Sequence, residues 1–127
     1  MNTKRLGIWM DHSSARLMDD TTGVIETTTI ESLFTYEEKG DSLDKSENLM
    51  HHKEQHEQAA YFKQLADVIK NYDDVLLFGA TQAKAELYNI LKGDHHFEKI
   101  RIEVRPSDRL TVNQQEAFVR TYFARSL

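Results

Sequence analysis

His52 and His56 lie one helical turn apart, the i, i+4 spacing at which two imidazoles on one helix face can share a metal ion. His51 stands beside them, and Lys53-Glu54-Gln55 fills the interval. The metalloprotease pattern needs a glutamate directly after the first histidine, where the carboxylate acts as general base. Here that position holds Lys53. The histidines are therefore read as solvated or backbone-bonded groups rather than metal ligands, and no metal or cofactor is expected. Residues 36–56 carry Glu37, Glu38, Asp41, Asp44, Glu47 and Glu54 against Lys39, Lys45 and Lys53. Protonation of the three imidazoles would bring this acidic stretch close to neutral.

Asp11-His12-Ser13-Ser14 is the second chemical group. A metal-assisted nuclease gathers several carboxylates around two ions. Asp11 offers one, and the matching turn, Gly79-Ala80-Thr81, offers none. The plain reading of Asp11 is a turn residue bonding nearby backbone. Ser13 and Ser14 have His12 as a neighbour, but no Gly-x-Ser-x-Gly elbow presents a nucleophile. Gly79 is a lone glycine before a helix rather than a phosphate loop, so Thr81 is expected to act as an N-cap. A third group, Lys99, Arg101, Arg105 and Arg109, gathers positive charge on one strand. Such charge guards an edge strand against pairing, and as an RNA-contacting stripe it is the minority reading.

The whole chain limits these options. It has 127 residues, a net charge of −5 and no cysteine. Thiol chemistry, disulfides and iron–sulfur clusters are excluded. The acidic balance disfavours a basic nucleic-acid binder, so no DNA partner is expected. No apolar run approaches the ~18 residues of a membrane span. The residues before Asp11 are too short for a secretory signal. A single cytoplasmic domain over 1–127 is expected, with a long polar loop at about 36–55.

The elements that position these groups follow from periodicity. Leu6-Gly7-Ile8-Trp9-Met10 is a buried strand, Ala15-Arg16-Leu17-Met18 its hairpin partner, and Val24 to Ile30 a β-branched third strand suited to an edge. Loops of about 18 residues are usually functional or disordered, and part of 36–55 has an alternative: Ser46 capping a helix that runs on through His56. Phe62, Leu65, Ala66 and Ile69 form a helical stripe. Val75-Leu76-Leu77-Phe78 is a strand buried on both faces. Ala83, Leu87, Ile90 and Leu91 mark the next helix, with Gly93 as its C-cap. Ile100, Ile102 and Val104 alternate with charged residues on an edge strand with one wet face. Thr111 and Gln114 form a capping box before a helix whose inner face carries Ala117, Phe118, Tyr122 and Phe123.

The order β-β-β-α-β-α-β-α, with hairpins first and right-handed crossovers after, closes into one solution. It is an α/β fold: a five-stranded mixed sheet in the order 3-2-1-4-5, strand 2 antiparallel, helices on both faces. This is the ribonuclease-H-like arrangement. Its strand order reverses between strands 1 and 4, where ligands of open α/β sheets bind. Asp11, His12, Gly79 and Thr81 would gather at that corner.

The segments Gly7-Ile8-Trp9-Met10-Asp11-His12-Ser13-Ser14-Ala15-Arg16-Leu17 and Leu76-Leu77-Phe78-Gly79-Ala80-Thr81-Gln82-Ala83-Lys84-Ala85-Glu86-Leu87 resemble short bacterial relatives of the archaeal and eukaryotic peptide release factor and of Pelota. The resemblance is to that family's middle domain and covers nearly the whole chain. In the release factor, the loop before the long first helix carries a Gly-Gly-Gln tripeptide that enters the peptidyl-transferase centre. The matching stretch here has Gly40 followed by Asp41, and no Gly-Gly-Gln occurs in the sequence. The resemblance does not extend to the family's codon-reading and partner-binding domains. It therefore implies a translation-associated relative, acting on ribosome or tRNA under stress and tied to ribosome protection, without peptide release.

Three functional readings follow. The first is a non-catalytic module that contacts RNA or a ribosomal protein through His51, His52, Lys53 and His56. Asp11, His12, Thr81, Arg101 and Arg105 are further candidates. The second is a metal-assisted hydrolase at the Asp11 corner or the histidine cluster. The third is a homo-oligomeric scaffold, a homodimer pairing through edge strand 24–30.

Overall fold

The computed structural model describes the backbone of residues 3–32 and 47–125, with side chains for 3–32 and 56–124. Five strands form one sheet: β1 (Arg5–Met10), β2 (Ser14–Asp19), β3 (Glu26–Glu31), β4 (Asp74–Gly79) and β5 (Arg101–Pro106). Among the described residues three α-helices accompany them: α1 (Glu47–Ile69), α2 (Ala83–Lys92) and α3 (Val112–Arg125), with a 3-10 turn at His95–Phe97. The sheet order is β3-β2-β1-β4-β5. β2 is antiparallel to both neighbours, whereas β1, β4 and β5 run parallel. The strand order and the lone antiparallel strand are those expected from the sequence.

Strand periodicity divides the core into two layers. Leu6, Ile8 and Met10 of β1, Ala15 and Leu17 of β2, and Val75 and Leu77 of β4 face one side. There they meet Tyr61, Phe62, Leu65 and Ile69 of α1 and Ala83, Leu87 and Leu91 of α2. Met18, Leu76 and Phe78 face the other side, against Val119, Tyr122 and Phe123 of α3. β4 is buried along its whole length, which is why its sequence shows no alternation. Gly7 leaves β1 flat beneath α3: a Cβ built there would lie 2.4 Å from Cγ2 of Val119.

Several local expectations are corrected. β3 begins at Glu26 rather than Val24, because the ladder with β2 pairs Asp19 with Glu26. Gly23, at φ +90°, turns the chain just before, and Val24 is left exposed. The expected loop to Gln55 is helical from Glu47 onward, as the alternative reading of this stretch has it; the expected cap, Ser46, lies with the rest of 33–46 outside the described residues. The Thr81 cap does hold: its Oγ1 accepts from the Ala83 N–H, whereas Gln82, directly before α2, is already right-handed and makes no side-chain cap bond. Gly93 caps α2 in a right-handed conformation, φ −83°, so this position makes no demand for positive φ. Ile90 points outward and Lys84 is the buried residue instead. On α3, Ala117 is exposed and Val119 takes the inner place, since only Val119 meets the flat spot at Gly7. The charged face of β5 is half-covered rather than wet, because Tyr122 packs over it.

Candidate functional site

The carboxyl ends of β1 and β4 meet where the sequence places the corner. Gly79 has φ +156°, and a Cβ on it would lie 2.4 Å from the carbonyl oxygen of Met10. The two backbones can approach this closely only at glycine. Asp11 follows β1 directly. Its Oδ1 accepts from the backbone N–H of Ser13 at 2.7 Å and of Ser14 at 2.8 Å. The Asp11 N–H donates to the Ser14 carbonyl at 3.0 Å, closing the hairpin. Asp11 is thus a turn residue, as its plain reading predicted.

His12 and Glu86 pair across the corner at 2.6 Å, with side chains 44% and 50% exposed. Nothing in the sequence marked Glu86, because its partner is 74 residues away. Thr81 Oγ1 accepts from the Ala83 N–H at 3.3 Å, and its carbonyl accepts from the ammonium of buried Lys84 at 2.5 Å. The corner groups therefore satisfy one another. One carboxylate oxygen holding a turn and another held by histidine do not form the paired-carboxylate site of a two-metal nuclease.

α1 ties the corner to the histidine segment. The Tyr61 hydroxyl donates to the Asp11 carbonyl at 2.9 Å. Burial, reinforced by the Asp11 carboxylate, pushes the Tyr61 hydroxyl well up, so it remains a proton donor. From Tyr61, α1 runs back along the sheet to Ile69, and Tyr72 just beyond donates to Asp19 at 2.7 Å. Burial pushes the Asp19 carboxyl up, but hydrogen bonds from Tyr72 and Thr21 outweigh it and hold the group below its ordinary value. The residues of α1 before Tyr61, from Glu47 to Ala60, add about 20 Å of helix at ~1.5 Å per residue, with Glu57, Gln58 and Ala60 half-buried next to Tyr61. His51, His52, Lys53 and His56 all belong to this arm. His56 is exposed, and the side chains of the other three lie outside the described residues.

Arg101 and Arg105 stand apart from both groups, on the outer strand β5. The Arg105 guanidinium donates to Glu103 at 3.1 Å and lies 5.3 Å from the Tyr122 ring centre. Tyr122 donates a hydrogen bond to the other oxygen of Glu103. That bond, with the nearby arginines, holds the Glu103 carboxyl below its ordinary value despite partial burial. The nine candidate residues thus fall into three places: Asp11, His12 and Thr81 at the corner; His51, His52, Lys53 and His56 on the α1 arm; Arg101 and Arg105 on β5. Among the described residues, Asp94, His95 and His96 are the one trio of ligand-type side chains within 4.8 Å of one another. Their geometry has a local cause: Asp94 caps the 3-10 turn, accepting from the His96 backbone and ring at 2.9 and 2.7 Å. No helix among the described residues is long and apolar enough to cross a membrane.

No protein-family model and no curated protein matches the sequence. Solved structures do share the fold. Thermoplasma acidophilum Pelota matches with a TM-score of 0.57 at 19% identity, over 93% of this chain and 32% of its own. Archaeoglobus fulgidus Pelota matches with a TM-score of 0.61 at 8% identity, over 99% of this chain and 35% of its own. The archaeal translation termination factor aRF1 matches with a TM-score of 0.56 at 12% identity, over 97% and 37%. This chain therefore has a release-factor-like α/β fold, shared with Pelota and aRF1 across nearly its full extent. It spans about a third of the length of those proteins.

Proposed function

We propose that this chain is a non-catalytic, translation-associated binding module that acts in the cytoplasm and contacts the ribosome or tRNA through the amino-terminal arm of α1. The observation that carries the reading is the arm itself: α1 runs for about 20 Å before Tyr61, its first buried residue among those described, and this stretch bears His51, His52, Lys53 and His56. The shared fold with Pelota and with a translation termination factor supports the setting. Peptide release is outside the proposal, because the sequence has no Gly-Gly-Gln.

The hydrolase reading loses its motive at the corner, where Asp11 holds the hairpin and Glu86 holds His12. The test is binding of purified ribosomes and of tRNA, by pelleting and by gel shift, for wild type and for a variant with His51, His52, Lys53 and His56 all changed to alanine. Wild type binds at low salt. The variant binds more weakly, and its affinity depends less on salt by a slope of about 1, the loss of one lysine–phosphate contact. A variant that binds as tightly as wild type contradicts the proposal.

A further inference from the structure

We propose that the outer edge of β5, which pairs with no strand among the described residues, is a strand-addition site, at which an extended acidic peptide from another protein pairs with β5 and lowers alternate side chains into cavities on its two faces. The backbone sets the register. Arg101 N–H donates to the Asp73 carbonyl at 2.9 Å, and Ser107 N–H to the Gly79 carbonyl at 3.1 Å. In a parallel ladder, the residues of one parity bond the neighbour and those of the other parity face away. The N–H and C=O groups of Ile102 and Val104 therefore point outward from the last strand of the sheet. Pro106, with no N–H, ends the edge and limits the addition to about four or five residues.

The two faces beside this edge are hollow. On the α3 side is a cavity of about 350 Å³ lined by Arg105, Leu110, Ala117, Phe118 and Tyr122. Its aromatic wall is firm, since Phe118 stacks on Phe78 with ring centres 4.6 Å apart. On the α2 side is a cavity of about 200 Å³ lined by Tyr88, Lys92, Asp94, Glu98 and Ile102 among others. Side chains of an added strand alternate between faces, so one parity meets the larger apolar cavity and the other the smaller polar one. The larger cavity takes a bulky apolar side chain, and the smaller takes a short or polar one.

Charge selects the occupant. Residues 99–109 hold four cations, Lys99, Arg101, Arg105 and Arg109, against Glu103 and Asp108, in a chain of net charge −5. Glu103 is already engaged by Tyr122 and Arg105. The guanidinium of Arg105 has further N–H donors, and Arg101 is exposed on the same face of the strand. An acidic residue two positions from the bulky apolar one would meet them. A second copy fits less well. Antiparallel pairing of β5 with itself about its centre sets Glu103 against Glu103. Presentation of β3 supplies Glu26 and Glu31, but only Ile30 to fill the apolar cavity, and that contact is head-to-tail rather than two-fold.

The test uses the full chain and a displayed library of random decapeptides. Selection on wild type is expected to enrich acidic peptides with a bulky apolar residue at alternate spacing. Ala117→Trp fills the α3-side cavity from an exposed position and Arg105→Gln removes the charge; each is expected to weaken the selected peptide about tenfold, as loss of a central contact does. Both variants are checked for folding by circular dichroism. N-methylation of the peptide backbone is expected to abolish binding at one parity and leave it intact at the other. The proposal is overturned if no peptide is enriched, if Ala117→Trp and Arg105→Gln bind as wild type does, or if both methylation parities behave alike. It is also overturned if sedimentation shows self-association that Ala117→Trp removes, which would make the occupant a second copy.

Discussion

The contact between Gly7 and Val119 fixes how α3 lies on the central strand, and it can be measured. In Gly7→Ala, the new methyl would lie 2.4 Å from Cγ2, 3.1 Å from Cγ1 and 3.3 Å from Cβ of Val119. Carbon atoms in good contact are about 3.5–4.0 Å apart, so the overlap exceeds ~1 Å. Val119 is fully buried, and a valine in a helix has essentially one χ1 rotamer, so it cannot swing away. Overpacking of this kind costs about 1–3 kcal/mol. Val119→Ala alone removes two buried methyl groups at ~0.8 kcal/mol each and leaves a small cavity, about 2 kcal/mol in all. In the double variant, the methyl introduced by Gly7→Ala occupies the space the valine vacated. The cost of the pair should fall below the sum of the two single changes by about 1–2 kcal/mol. Urea unfolding followed by circular dichroism and by Trp9 fluorescence, with coincident transitions, gives the three values. Additivity within ~0.5 kcal/mol would refute this packing of α3 on β1.

Three further outcomes are expected. Tyr61→Phe removes the hydrogen bond that anchors α1 at the corner and should lower stability by about 1 kcal/mol in urea unfolding. Burial raises the Asp74 carboxyl, only partly offset by Arg101 and Arg5, and its Oδ1 is without a hydrogen-bond partner among the described residues. A raised folded value means that this group's contribution to stability falls as pH rises through it, so Asp74→Asn should raise the melting temperature at pH 7 and flatten its dependence on pH above 4. The lowered value of Glu103 has the opposite sign: its contribution is present above the ordinary glutamate range and is lost as pH falls through the depressed value. Tyr122→Phe should therefore reduce the acid sensitivity of thermal melts between pH 5 and 3, and an unchanged profile would show that this bond contributes nothing to it.

The sheet was legible because its strands differ in burial and the sequence records it. β4 is an unbroken apolar run because both faces are covered, and β1 is nearly so. The order followed from hairpins and right-handed crossovers. The capping box at Thr111 and Gln114 was legible from two residues and forms as expected, with bonds of 2.9 and 3.2 Å. The inner face of α3 was harder: Ala117 and Val119 are both small and apolar, and only the absence of a side chain at Gly7 decides between them. The amino-terminal extent of α1 was obscured because the stretch before Tyr61 carries no apolar stripe to announce a helix. The pairings His12–Glu86 and Glu103–Tyr122 join residues distant in sequence, and no local spacing encodes them. The cavities beside β5 are likewise products of the assembled fold, although the alternating charge of that strand pointed to its edge position.

The central claim, association with the translation apparatus, is tested most directly by sedimenting lysates of growing and starved cells through sucrose gradients at low and high salt, with detection of the native chain. The chain is expected to travel with ribosomal particles or tRNA at low salt and to be released at high salt. A chain that stays at the top of the gradient in both growth states and at both salt concentrations, and that shifts no tRNA in a native gel, would contradict the claim.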